Sequence, residues 1–193
     1  MTYFKFASKL KRVQRKLFGG RRGHHVILSG EIERMLRLEI INPVIVETGC
    51  IRSLTEGTES TLTIASMVKD KGTFYTFELE PRHIAICKEL CAGYNQYINY
   101  IEGDSVSNLH SMVNDQTIST IDFAFLDSVN DGNHIWKEFE TIEHLFHKGS
   151  TLVVDDVLWA KKGEIIRPYL EQSGDWSTKI YNVESGIMVA KRL

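Results

Sequence analysis

After Pro43 the chain falls into an alternation of short and long segments, and this rhythm limits its fold more than any other feature. Runs rich in β-branched and aromatic residues at 44–47, 72–78, 98–102, 121–126 and 151–154 are separated by helical patterns at 60–69, 81–94, 105–114 and 135–147. Strands that alternate with helices of ordinary length predict a parallel sheet with crossover helices, because a helix is the usual way to carry the chain back to start a parallel neighbour. Pro81 stands where a helix start tolerates proline. A further helix is expected at 163–172, followed by apolar runs at 176–181 and 186–191 around a turn at 182–185, which predicts a closing antiparallel hairpin. The expected fold is a single α/β domain over 43–193, a doubly wound, seven-stranded, mostly parallel sheet with that hairpin at its end.

Residues 1–42 read as an N-terminal helical extension. Phe6, Leu10, Val13 and Leu17 recur at helical spacing among Lys5, Lys9, Lys11, Arg12, Arg15 and Lys16, a basic amphipathic pattern. Glycines at 19, 20 and 23 interrupt it, and a second helical pattern through Ile32, Met35 and Leu36 ends before Pro43. A basic amphipathic helix can cover a site as a lid, pack in a homodimer, or lie on an anionic membrane, and the sequence leaves all three open. A formal net charge of -2 gives no global pull toward nucleic acid. Phe123, Phe125, Trp136, Phe139 and Trp176 sit at packing positions rather than on a base-stacking platform, so no nucleic acid partner is expected. The odd set Cys50, Cys87 and Cys91, with no secretory signal and no apolar run of membrane-spanning length, predicts a reducing, cytoplasmic setting. Peripheral contact at the inner face of the membrane would come from the basic helix. Cys87 and Cys91 lie one helical turn apart without a second ligand pair, and are expected in the core.

In an open parallel sheet, ligands bind beyond the carboxyl ends of the strands, and here those ends are acidic. The first strand ends at Glu47-Thr48-Gly49 and the second at Glu78-Leu79-Glu80. The third leads into Gly103-Asp104-Ser105, the fourth ends at Asp127 and the fifth at Asp155-Asp156. Each alone is an ordinary turn or cap, but carboxylates after every strand point to one polar edge. A Glu after the second strand can accept both hydroxyls of a ribose, and Gly49 lets backbone approach a ligand closely, so a nucleoside cofactor is expected. The G-x-G-x-x-G fingerprint of dinucleotide enzymes is missing, which argues against a nicotinamide-dependent dehydrogenase. Glu47 and Glu56 are expected to repel a pyrophosphate and to suit a cationic sulfonium with an amino-acid tail.

These residues resemble the class I, Rossmann-like methyltransferases, and among them the metal-dependent small-molecule O-methyltransferases of the catechol and antibiotic-sugar types. Val46-Glu47-Thr48-Gly49, with Gly57 and Ser60-Thr61, is similar to their first cofactor motif. Glu78 matches the ribose-binding acid, Asp104-Ser105 the adenine-side loop, and Asp127-Ser128 the end of the fourth strand. The resemblance covers about residues 44–157 and implies S-adenosylmethionine as cofactor and a hydroxyl of a small molecule, sugar or glycan as acceptor. Asp127, Asp155 and Asp156 match the family's metal ligands. Three hard oxygen donors suit Mg²⁺ or another divalent cation, which would hold and acidify the acceptor hydroxyl. Where catechol O-methyltransferase carries a catalytic lysine the aligned residue is Asn130, which cannot take a proton, so Asp127, Asp131 and His134 are the candidate catalytic residues. Lys161 and Lys162, just beyond the acidic pair, could face the pocket, but a solvated loop is the expected setting. Two other readings stay open: metal-independent transfer with the carboxylates as direct bases, and a cofactor-binding module without catalysis.

Overall fold

The computed structural model describes residues 22–53, 59–159, 161–183 and 185–193. The basic helix expected over 3–18 lies outside the described residues, as do Glu56 and Gly57. Helix α1 (Arg22–Leu36) precedes an alternating series. It runs β1 (Val44–Thr48), α2 (Ser60–Val68), β2 (Thr73–Glu78), α3 (Pro81–Leu90), β3 (Asn99–Glu102), α4 (Ser105–Asn114), β4 (Ile121–Leu126), α5 (Gly132–Ile142) and β5 (Phe146–Val154). Helix α6 (Ile166–Gln172) then leads to β6 (Trp176–Tyr181) and β7 (Ile187–Arg192).

The seven strands order as β3-β2-β1-β4-β5-β7-β6. Strands β1 to β5 pair in parallel, whereas β7 pairs antiparallel with both β5 and β6. The expected doubly wound sheet with its closing hairpin is therefore the observed fold. The chain winds outward from β1 to β3, returns to β4 beside β1, and so creates the reversal at which crevices open in such sheets.

Strand β4, Ile121–Leu126, is buried at every position because helices cover both faces of the sheet. Side-chain alternation divides the interior accordingly. Ala124 and Leu126 join Leu109, Ile135, Phe139 and Ile166 under α4, α5 and α6. Phe123 and Phe125 join Ile64, Val68, Cys87 and Cys91 under α2 and α3, so the two cysteines are core residues as expected. Leu28, Ile32 and Met35 of α1 belong to that second core, so α1 is built into the layer. Among the described residues no helix is long and apolar enough to cross a membrane.

Several boundaries differ from expectation. The helix expected at 135–147 is α5 followed by a 3₁₀ turn, Glu143–Leu145, and β5 already begins at Phe146. The polar residues 147–149 are exposed at the entry to that strand, so they carry no apolar alternation. There the Ser150 hydroxyl accepts from the His147 N–H at 3.0 Å and donates to the Ile121 carbonyl at 2.8 Å, bridging a register shift between β4 and β5. Helix α3 stops at Leu90 rather than near Tyr94, and α6 starts at Ile166 rather than Gly163.

Because Ile32 is fully buried under the sheet, Ile32→Ala is expected to cost about 2–4 kcal/mol of unfolding free energy in urea melts. A loss below about 1 kcal/mol would mean that α1 is a detachable cover.

Candidate functional site

The ends of the strands are tied together before any side chain contributes. The Asp127 N–H donates to the Thr48 carbonyl at 2.9 Å, the Gly49 N–H to the Phe77 carbonyl at 2.8 Å, and the Asp155 N–H to the Leu126 carbonyl at 3.2 Å. Gly49 has φ +85°, and a Cβ there would collide with the backbone carbonyl of Asp127. Only glycine permits that approach without strain. Above this knot opens a cleft of about 420 Å³ whose lining includes His24, Gly49, Ser60, Asp127, Ser128, Asp155 and Asp156.

Within the cleft Asp127, Asp155 and Asp156 each offer a carboxylate oxygen within 4.8 Å of the others. Asp156 takes φ +56°, a left-handed conformation that Asp tolerates better than most residues, directly after the strand ends at Val154. Burial lifts the carboxyl of Asp127 to about 6; Lys162 opposes that rise, while Asp155 and Asp156 add to it.

Two further residues reach these carboxylates. The Nζ of Lys162 stands 2.5 Å from Asp127 Oδ1 and 3.9 Å from Asp156 Oδ2, and its side chain is only 1% exposed. This corrects the expectation of a solvated loop, which holds for Lys161 but not for its neighbour. The inward turn is a backbone matter: Lys161 has φ +67°, and its carbonyl passes 2.5 Å from where a Cβ on Gly132 would lie. No periodicity in a loop says which of two adjacent lysines turns inward. His24, from α1, places Nδ1 2.9 Å from Asp155 Oδ1 and Nε2 3.1 Å from the Val183 carbonyl oxygen. Nothing in the sequence around His24 announced that contact.

Several expected cofactor residues lie beneath the cleft instead of facing it. Glu47 is fully buried, and its Oε2 accepts from the hydroxyls of Thr61 and Thr76, both at 2.7 Å. Burial pushes its carboxyl up to about 8, so it does not project the negative charge expected of it. Thr61 also accepts from the Ile51 N–H at 3.0 Å, which fixes the loop after β1. Thr48 donates to Glu138 Oε2 at 3.0 Å, and the Ser105 hydroxyl donates to the other oxygen of Glu138. His134 joins this buried group through Nε2, 3.0 Å from Ser105 Oγ, and the hydrogen bond to Glu138 raises its pKa. Glu138, the hub of the group, carried no signal in the sequence.

Asp104 and Asp131 cap helices: Asp104 accepts from the Ser107 N–H at 2.8 Å, Asp131 from the Asn133 N–H at 2.8 Å. Neither they nor His134 line the cleft. Glu78 stands at the end of β2 with Oε1 accepting from the Glu80 N–H at 3.0 Å. Ser128 Oγ and Glu59 Oε1 are buried without a hydrogen-bond partner among the described residues. Ser128 lines the cleft, and Glu59 lines a smaller pocket that shares His24, Ser60, Asp127 and Asp155 with it. Buried polar atoms are costly unless something completes them, so these two suit a polar ligand.

A family model described as O-methyltransferase matches residues 39–184. The chain belongs to the O-methyltransferase family. Solved structures agree in fold with this O-methyltransferase. TomG from Streptomyces achromogenes, an O-methyltransferase involved in tomaymycin synthesis and solved in complex with SAM, is 19% identical with a TM-score of 0.68, covering 96% of this chain and 88% of its own. An O-methyltransferase from Bacillus cereus in complex with SAH is 20% identical with a TM-score of 0.65, over 86% and 81%. A methyltransferase from Geobacter sulfurreducens is 14% identical with a TM-score of 0.66, over 97% and 87%. Comparison with curated proteins found no match.

The buried acid of this O-methyltransferase has a measurable consequence. Glu47 is neutral in the fold up to about pH 8, whereas in the unfolded chain it ionises above its ordinary value of 4.5. The unfolded state therefore sheds a proton that the fold retains, and stability declines as pH rises between those values. Glu47→Gln should flatten that decline by about 2 kcal/mol or more between pH 5 and pH 8 in urea melts. An unchanged slope would mean that Glu47 is ionised in the fold.

Proposed function

We propose that this O-methyltransferase moves the methyl group of S-adenosylmethionine to a hydroxyl oxygen of a small molecule, sugar or glycan, with Mg²⁺ or another divalent cation held by Asp127, Asp155 and Asp156. The observation that carries this reading is the convergence of those three carboxylates in the wall of the cleft that Gly49 and Ser60 also line. S-adenosylmethionine supplies an electrophilic methyl group on a sulfonium centre, and a divalent cation makes a hydroxyl more acidic.

The chain's own residues divide the remaining work. Gly49 brings backbone to the cleft with no side chain in the way, and Ser60 opens α2 beside it. Ser128 Oγ and Glu59 Oε1 offer unsatisfied polar atoms to the cofactor, and Glu78, at the end of β2, is the acid for its ribose hydroxyls. The donor set fits a hard cation, since all three ligands are carboxylates and their oxygens lie within 4.8 Å of one another. SAM and SAH in TomG and in the Bacillus cereus enzyme support the same choice of cofactor here. The entry of His24 from α1 into the cleft supports a role for that helix in covering the acceptor end.

A second reading draws on Lys162, which already offsets part of the acidic charge: Asp127 then takes the acceptor proton itself, without a metal. Titration calorimetry and labelled methyl transfer test both. Wild type should bind S-adenosylmethionine, and Glu78→Ala should weaken that binding at least tenfold, about 1.4 kcal/mol. Across a panel of catechol-like and sugar diols, turnover should vanish with a chelator and return with Mg²⁺. Turnover that survives chelation would reject the cation and keep the methyl transfer.

A further inference from the structure

We propose that the ammonium of Lys162 is a built-in cation that competes with a divalent ion for the carboxylates of Asp127, Asp155 and Asp156. The inference rests on the reading of those carboxylates as a cation seat, and deepens it by saying what else can sit there.

Lys162 Nζ is 2.5 Å from one member of the trio and 3.9 Å from a second, while the side chain is almost wholly withdrawn from water. A buried ammonium is tolerated only when paired, so the site and the lysine depend on each other. The backbone is committed to the arrangement: Lys161 adopts φ +67°, and Gly132 leaves room for the carbonyls of both lysines. Lys162 is thus presented to the trio by the fold and not by a chance rotamer of an exposed side chain.

A divalent ion bound by the same oxygens would stand close to that ammonium. Two positive charges about 4 Å apart repel appreciably even at the effective dielectric of a protein surface. Binding of the ion must therefore displace Nζ or proceed against its field, and in either case the lysine lowers the affinity that three carboxylates would otherwise give. When no ion is bound, the same ammonium offsets the mutual repulsion of the carboxylates and keeps them converged.

Mn²⁺ binding, followed by electron paramagnetic resonance on the full chain, tests this with wild type, Lys162→Met and Lys162→Gln; circular dichroism checks that each variant folds. Both variants should bind Mn²⁺ at least tenfold more tightly than wild type. Equal or weaker binding in a folded variant overturns the proposal, because the lysine would then be supporting the seat.

Should neither variant fold, reductive methylation of wild type with peptide mass spectrometry decides. Greater labelling of Lys162 with Mn²⁺ supports competition, whereas failure of Mn²⁺ to bind at millimolar concentration removes the cation seat and overturns the proposal with it. Tight Mn²⁺ binding with Lys162 still protected overturns it. S-adenosylmethionine calorimetry reports on the methyl-transfer reading separately, since it requires no metal.

Discussion

The site depends on the contact between two backbones at the middle of the sheet. Gly49 leaves β1 in a conformation that L side chains rarely adopt, and the carbonyl of Asp127 occupies the space where its Cβ would be. Close approach at this point lets the loop after β1 and the carboxylate after β4 share one cleft. The reversal of winding between β1 and β4 opens the crevice, and the missing side chain keeps it narrow at the base. Both face helices that cover the sheet and strand ends that hydrogen-bond to their neighbours hold these two atoms in place.

Charge is the second constraint. The cleft concentrates acid, and the fold manages it in different ways at different depths. Glu47 is withdrawn fully and held neutral between two threonine hydroxyls. Glu138, on α5, is buried with hydroxyl donors on each oxygen and an imidazole beside it. Asp155 meets His24, and Asp127 meets Lys162. The trio that faces the cleft is thus the part of this acidity left available to a ligand, and even there the available charge is already reduced.

What could be read from the sequence follows from what is local. Strand β4 was legible because a strand buried on both faces is mostly apolar, here unbroken but for Asp122, and Asp127, Asp155 and Asp156 were legible because they follow strand ends. The entry to β5 was not, since His147, Lys148 and Gly149 face solvent and carry no alternation. Glu47 shows a related limit: position along the chain places it at the strand end, and its direction relative to α2 and β2 turns it inward onto Thr61 and Thr76. Lys162, His24 and Glu138 act through contacts with residues 35, 131 and 90 positions away, which no spacing rule encodes.

The same long reach bears on how the cleft comes into being. His24 joins Asp155 and the carbonyl of Val183, 131 and 159 positions further along the chain, so this wall exists only after α1 and the hairpin of β6 and β7 have both docked. Contacts of such separation are the slow ones to form, and a partly assembled chain has no pocket to offer. Whatever occupies the cleft therefore discriminates between finished and unfinished molecules, and by mass action its presence draws the population toward the completed fold.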